Sequence, residues 1–431
     1  MSALARMVAD HAAVAERLPA AVASREQRAS ALGVVTAGDL PGPREENWRY
    51  ANLRPLDGLA FAPGLAVDDP AIERVRSVLP GPLAGFDRFV FVDGLFAAAL
   101  SAGPDGPAGV TLDTRASLDA GFGQGVADAR LGALALAFAP QAATIRASAN
   151  ARRDLEVLFV ATRPGTEAAS YPVLTVEAGD NAQLRLVERH LGLADGATFS
   201  NAALDLRIGA AAQLRHVRVQ QLGAAAVHFE TLRAEIGADA EYGLDSIALG
   251  AQAARTTLHA RLAGRGARIT YASSVAIDGT QVNDTYARIE HAAPATETGE
   301  DYRGIAAGRS RVAFNGHIVM RPGATRAASR QSLRSLLAGP GAEADVRPQL
   351  EIYTDDVQAS HGATAGKLDD QMLFYLLSRG IEPATAQSLL KWAFLTGLVS
   401  GITIPALRAQ IERAFAQRFT GGDAAVAREL V

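Results

Sequence analysis

The sequence predicts a mainly β protein with α elements: a parallel β-helix between a helical N-terminal region and a C-terminal helical domain. Three observations carry this. Apolar and polar residues alternate in Leu204–Ile208, Leu232–Ile236 and Leu258–Leu262, the period of a half-buried strand. A short phrase closes successive strands: AGDNAQL, IGAAAQL, IGADAEY and, more loosely, AGRGARI. Its glycines, Gly179, Gly209, Gly237 and Gly264, stand 30, 28 and 27 residues apart, as in a repeated strand–turn–strand unit. Glycine suits such a corner, for positive φ or because two backbones approach closely. Stacked solenoid coils satisfy the repeat. A β-sandwich is the competing reading, and no six-residue period points to a hexapeptide solenoid.

Residues 1–145 read as mixed and mostly helical. Leu4, Met7, Val8, His11 and Val14 recur at helical spacing. The connections PGPREENWRY, FAPGLAVDDP and AGPDGPAGV follow, and Phe89–Phe96 alternates as a strand or two. Residues 146–365 form the β-helix core. Residues 366–431 turn helical again. There LDDQMLFYLLSRG sets Leu368, Met372, Phe374, Leu376 and Leu377 on a broad apolar face and stops at Gly380. Pro383 and Pro405 suit the first positions of two further helices. Three helices at the end of a β stack either cap its open edge or offer an apolar face to another protein. Trp392 and Phe394 read as helix-packing residues within an apolar run.

The 431 residues are 48% hydrophobic and 20% charged, with a net charge of −4. A polyanion needs a basic face, so neither nucleic acid nor an anionic membrane is expected as the main partner. The N-terminus carries Arg, Asp and Glu inside its apolar pattern, unlike a signal peptide or membrane anchor. No apolar run approaches the roughly 20 residues of a spanning helix. A soluble, cytoplasmic protein is expected. The absence of cysteine excludes disulfides, thiol nucleophiles, persulfide carriage and any self-contained Cys-ligated zinc or iron–sulfur site. A thiolate must come from another chain.

No Walker A, H-E-x-x-H or G-x-S-x-G motif occurs. Ser360 and His361 are neighbours on an extended stretch and point to opposite faces, so they form no dyad. The pairs Asp355-Asp356 and Asp369-Asp370 allow an alternative, a β-helix carbohydrate-active enzyme using clustered carboxylates. Turn and helix-cap chemistry explains them as well. His361 lies where the β zone meets the helices, among Ala359, Ser360, Gly362 and Ala363, which leave its ring uncrowded. Imidazole is also the borderline-soft metal ligand left to a chain without cysteine.

The run PQLEIYTDDVQASHGATAGKLDDQMLFYLLSRGI, 348–381, resembles the C-terminal signature of the SufB/SufD scaffold family of iron–sulfur cluster assembly. DYRGIAAGRSRVAFNGHIVMRPGA, 301–324, resembles the family's preceding block, and EENWRYANL, 45–53, its N-terminal tag. The resemblance implies a right-handed parallel β-helix core flanked by a helical N-terminal region and a C-terminal helical domain. It implies a non-enzymatic scaffold subunit of a SufBCD complex, pairing near 348–365 with a SufB-like paralogue. Helices within 366–431 would dock on a SufC-like ATPase. A chain without cysteine cannot accept sulfur, which points to the SufD-like side.

The resemblance further implies a nascent iron–sulfur cluster shared with SufB, and none held by this chain alone. Reduced flavin is associated with such complexes, but no sequence feature here marks a flavin site. The histidine of the family's C-x-H-G-x-T tract falls on His361, with Ala359 where a cysteine often stands. His361 is therefore the metal ligand expected from this subunit. An end strand built to meet a paralogue is an open edge, so the isolated chain is expected to form a homodimer.

Overall fold

The computed structural model describes residues 2–38, 40–103, 109–118, 130–193 and 196–420. The middle of AGPDGPAGV (104–108) and the end of the C-terminal region (421–431) lie outside the described residues. The chain opens with helices α1 (Ala3–Val14), α2 (Arg25–Gly38) and α3 (Asp69–Val78). Strands β1 (Asp87–Val92), β2 (Leu95–Phe96) and β3 (Val110–Asp113) follow, then α4 (Arg130–Phe138) and β4 (Ala143–Ala147). Winding continues through β5 (Arg152–Ala161), β6 (Val173–Ala178), β7 (Gln183–Gly192), β8 (Phe199–Ile208) and β9 (Gln213–Leu222). Next come β10 (Val227–Ile236), β11 (Glu241–Gly250), β12 (Ala253–Leu262), β13 (Arg268–Ile277) and β14 (Val282–His291). The last coils hold β15 (Glu297–Ala307), β16 (Arg311–Met320), β17 (Ala327–Ala338), β18 (Glu343–Ile352) and β19 (Val357–Lys367). Helices α5 (Asp370–Ser378), α6 (Pro383–Val399) and α7 (Pro405–Phe419) end the described chain.

Odd-numbered strands from β5 to β19 stack in one sheet and even-numbered strands from β4 to β18 in the other, so every coil contributes one strand to each. Both stacks are parallel, which makes the core a parallel β-helix rather than a sandwich. In-register stacking repeats the chemistry of each position from coil to coil. Ala178, Ile208, Ile236 and Leu262 form one such column in the lumen.

The corner glycines are fixed by proximity. A Cβ on Gly179 would lie 2.7 Å from the Ala149 nitrogen, and one on Gly237 would lie 2.9 Å from the Ile208 oxygen. Positive φ falls two residues later, on Asn181, Ala211 and Asp239 (57°, 55° and 54°). Glycine therefore marks where one coil's backbone sits on the next.

Helices cover the outer faces of the two sheets. Phe138 of α4 packs with Tyr171, Phe199 and Phe229 on the even sheet. Leu395, Val399, Leu407, Ile411 and Phe415 of α6 and α7 cover Val187, Val217, Ile247 and Ile305 on the odd sheet. Among the described residues these helices leave the last coil uncovered, so end-capping is not their arrangement. The apolar outer face of the odd sheet claims their buried side instead. Two details differ from the periodicity reading. Val8 is 43% exposed while Ala3, Met7, His11 and Val14 point inward. Helix α5 turns Leu373 and Leu376 partly inward, leaving Met372 and Phe374 at 59% and 73% exposure. Pro383 and Pro405 do open α6 and α7, and Gly380 follows α5 with φ +82°. Among the described residues no helix is long and apolar enough to cross a membrane.

Candidate functional site

Strands β18 and β19 end their sheets, and each has one in-sheet neighbour among the described residues. Both are largely uncovered: β19 is exposed along almost its whole length. Strand alternation decides which way His361 faces. Its register partner on β17 is Gln331, and Gln331 pairs in register with Glu300 on β15. Ser329, Gln331 and Leu333 are buried, so their partners Ala359, His361 and Ala363 occupy the lumen side of the final coil. Ser360 takes the other face, which removes the dyad. His361 is exposed because, among the described residues, no further coil sits over it.

Directly beneath, Gln331 Nε2 donates to Glu300 Oε2 (2.6 Å) and to the Gly316 carbonyl (3.0 Å). Burial pushes the Glu300 carboxyl up to about 8, against the Gln331 hydrogen bond. Gly316, the last residue of the F-N-G motif, is what lets this pair fit: a Cβ there would lie 2.7 Å from Gln331 Nε2 and closer still to Glu300. The acidic pairs flanking His361 do other work. Asp369 caps α5, accepting from the backbone nitrogens of Gln371 (2.8 Å) and Met372 (3.0 Å). Asp355 and Asp356 lie exposed in the connection from β18 to β19. Turn and cap chemistry therefore accounts for both, and the carbohydrate-enzyme alternative gains no support.

EENWRY forms a strap across the even sheet. Trp48 is 1% exposed, and the Arg255 guanidinium of β12 lies 3.9 Å over its ring. Arg255 also pairs with Asp284 of β14. Arg311 of β16 sits over Tyr50 (5.4 Å), and Arg347 of β18 meets Glu46. One short segment thus ties four coils together.

A second cluster, inside the lumen, is absent from the sequence reading. Glu188 Oε1 lies 2.5 Å from His190 Nε2, and its Oε2 lies 3.0 Å from His216 Nε2. His216 Nδ1 reaches the Tyr242 hydroxyl (3.1 Å), Arg218 pairs with Glu230, and Arg218 lies 3.1 Å from His228 Nε2. Burial opposes ionisation of Glu188, yet hydrogen bonds from His190 and His216 hold its carboxyl well below the usual range. Glu230 is likewise buried, but Arg218 and His228 bring it down to about 2. Burial lowers His228 to about 4 against its Glu230 contact. The one available signal was Glu188-x-His190, His216-x-Arg218 and His228-x-Glu230, three polar pairs at strand period.

Residues 159–394 match the family model for the SUF system FeS cluster assembly SufBD core domain. This span runs from β5 into α6 and includes the open end. The chain is 28% identical to the iron–sulfur cluster assembly protein SufD of Escherichia coli, covering 89% of this chain and 90% of that protein. It is 26% identical to a SufBD family protein of Synechocystis, with coverage of 91% and 90%. A Mycobacterium leprae member is 25% identical, with coverage of 90% and 92%. The motifs at 45–53, 301–324 and 348–381 thus fall on the strap, the Glu300–Gly316 pair of strands and the open end. The chain belongs to the SufBD core domain family of SUF-system iron–sulfur cluster assembly proteins.

Proposed function

We propose that the chain is a SufD-like scaffold subunit, non-enzymatic by itself, that helps build a nascent iron–sulfur cluster against a SufB-like paralogue. One observation carries this reading: the last coil of a family solenoid is uncovered and presents His361 on its lumen side. His361 supplies one imidazole to the cluster, which is cargo of the assembly rather than a resident group. Thiolates come from the partner, because this chain has no cysteine. The open edges of β18 and β19 receive the partner's end coil. A SufC-like ATPase docks on the exposed face of α5, where Met372, Phe374 and Tyr375 form an uncovered apolar row. In this reading 1–145 braces the solenoid, 146–365 is the β-helix core, and 366–431 is the docking domain of a cytoplasmic complex.

The test is co-expression with a cysteine-bearing paralogue and the ATPase, followed by iron and sulfide analysis of the purified assembly. An intact complex that loses iron on His361→Ala supports both parts of the reading. Unchanged iron removes the ligand role, and failure to form any three-subunit complex overturns the scaffold role.

A further inference from the structure

We propose that His190, His228 and Glu230 form a closed binding site for a divalent first-row transition-metal ion inside the solenoid, separate from the open end. One nitrogen of each imidazole and one Glu230 oxygen lie within 4.8 Å of one another, and all three residues are buried. Two imidazoles and a carboxylate suit Zn²⁺ or Fe²⁺, and no thiolate is needed.

The surroundings favour an ion. The Glu188 carboxylate accepts from His190 Nε2 (2.5 Å), so Nδ1 is the nitrogen that would face an ion. A carboxylate that orients a ligand imidazole in this way is the usual support of a metal-bound histidine. Glu188 is itself braced by His216. His228 is 2% exposed, yet its Nδ1 has no hydrogen-bond partner among the described residues. Arg218 pairs with Glu230 Oε2 and lies 3.8 Å from Glu188 Oε1, while Thr256 donates to Glu230 Oε1 (2.8 Å); one guanidinium thus faces two carboxylates, so the cage keeps an affinity for a cation. The three ligands come from β7 and β10, in consecutive coils and one strand from each sheet. Their positions are therefore set by coil register, and an ion here would tie the two sheets together. Full enclosure makes this a structural type of site, loaded as the chain folds and slow to exchange afterwards.

The full-length chain is expressed in medium supplemented with Zn²⁺ or Co²⁺, dialysed against EDTA while folded, and assayed for retained metal. His361→Ala is carried in parallel to exclude the open end. The expected result is about one ion per chain in both proteins. Glu230→Gln and His228→Ala should fall at least about tenfold, and Glu188→Gln should bind about 10–100-fold more weakly. If these variants do not fold, zinc X-ray absorption on the His361→Ala protein decides: two imidazoles in the coordination shell support the site. No retained ion in the wild type, retention equal in folded His228→Ala, or a shell with fewer than two imidazoles overturns it.

Discussion

Gln331 and Glu300 form a buried pair one and two coils beneath His361, with Nε2 to Oε2 at 2.6 Å. The groups facing Glu300 are Gln331 from β17, the Gly316 backbone from β16 and the neutral phenol of Tyr271 on β13. Burial raises Glu300 to about 8, above the ordinary value of 4.5. Between those values the folded chain binds more protons than the unfolded one, so stability falls as pH rises. The contribution is complete below about 4.5 and is lost as pH passes through 8. Glu300→Gln keeps a neutral partner for Gln331 and removes the titration. Thermal midpoints at pH 5.5 and 8.5 should drop more in the wild type than in the variant, by the equivalent of roughly 2–4 kcal/mol. Equal drops would dispose of the protonated carboxyl.

Gly316→Ala places a methyl against Gln331 and Glu300 in a packed lumen. Overpacking of this kind costs about 1–3 kcal/mol. The melting temperature should fall, and adding Glu300→Ala, which vacates the space, should restore part of it. A double variant no more stable than the sum of the singles would show that Gly316 is required for another reason.

Trp48 fixes the strap through Arg255, whose other partner is the buried Asp284. Trp48→Ala removes a large buried ring, a change worth about 3–5 kcal/mol. Since the strap crosses β12, β14, β16 and β18, the N-terminal region should become protease-sensitive before the solenoid does. Arg255→Lys should mimic it in part, because an ammonium lacks the planar stacking surface. Simultaneous cleavage of strap and solenoid in Trp48→Ala would count against an independent strap.

Much of this architecture was legible because a solenoid repeats itself. One coil's register reappears at Gly179, Gly209, Gly237 and Gly264, and prolines announce α6 and α7. His361 was placed at the end of the β zone by the same reasoning. The rest depends on which side of a strand faces inward. Both faces of most coils are buried, one by the lumen and one by helices, so apolar content does not identify the lumen. Glu188, His190, His228 and Glu230 consequently read as ordinary strand residues. The strap partners Arg255, Asp284, Arg311 and Arg347 are dispersed over almost 100 residues and meet only after coiling. The rotation of α5 was also hidden, because apolar residues surround that helix on nearly all sides.

The outer row of α5 gives a direct test of ATPase docking. Phe374 is 73% exposed, so Phe374→Ser together with Met372→Ser should alter folding stability by no more than about 0.5 kcal/mol per site. Capture of the co-expressed ATPase should nevertheless fall sharply, while pairing with the cysteine-bearing paralogue persists. Undiminished ATPase capture would move that interface elsewhere.

An uncovered coil end leaves backbone donors and acceptors of β18 and β19 available to any similar end. In the absence of a paralogue, a second copy offers the same edges, and a two-fold pair would cover both. Light scattering of the isolated chain at micromolar concentration should therefore give a dimer mass. Ala363→Glu tests where the contact lies. Ala363 occupies the lumen side of β19 over buried Leu333, so the new carboxylate would face the partner coil. A buried unpaired charge is costly there, whereas the free end leaves it in water. The variant should keep its melting temperature and become monomeric. A monomeric wild type removes the prediction, and a dimeric variant places the contact on another face.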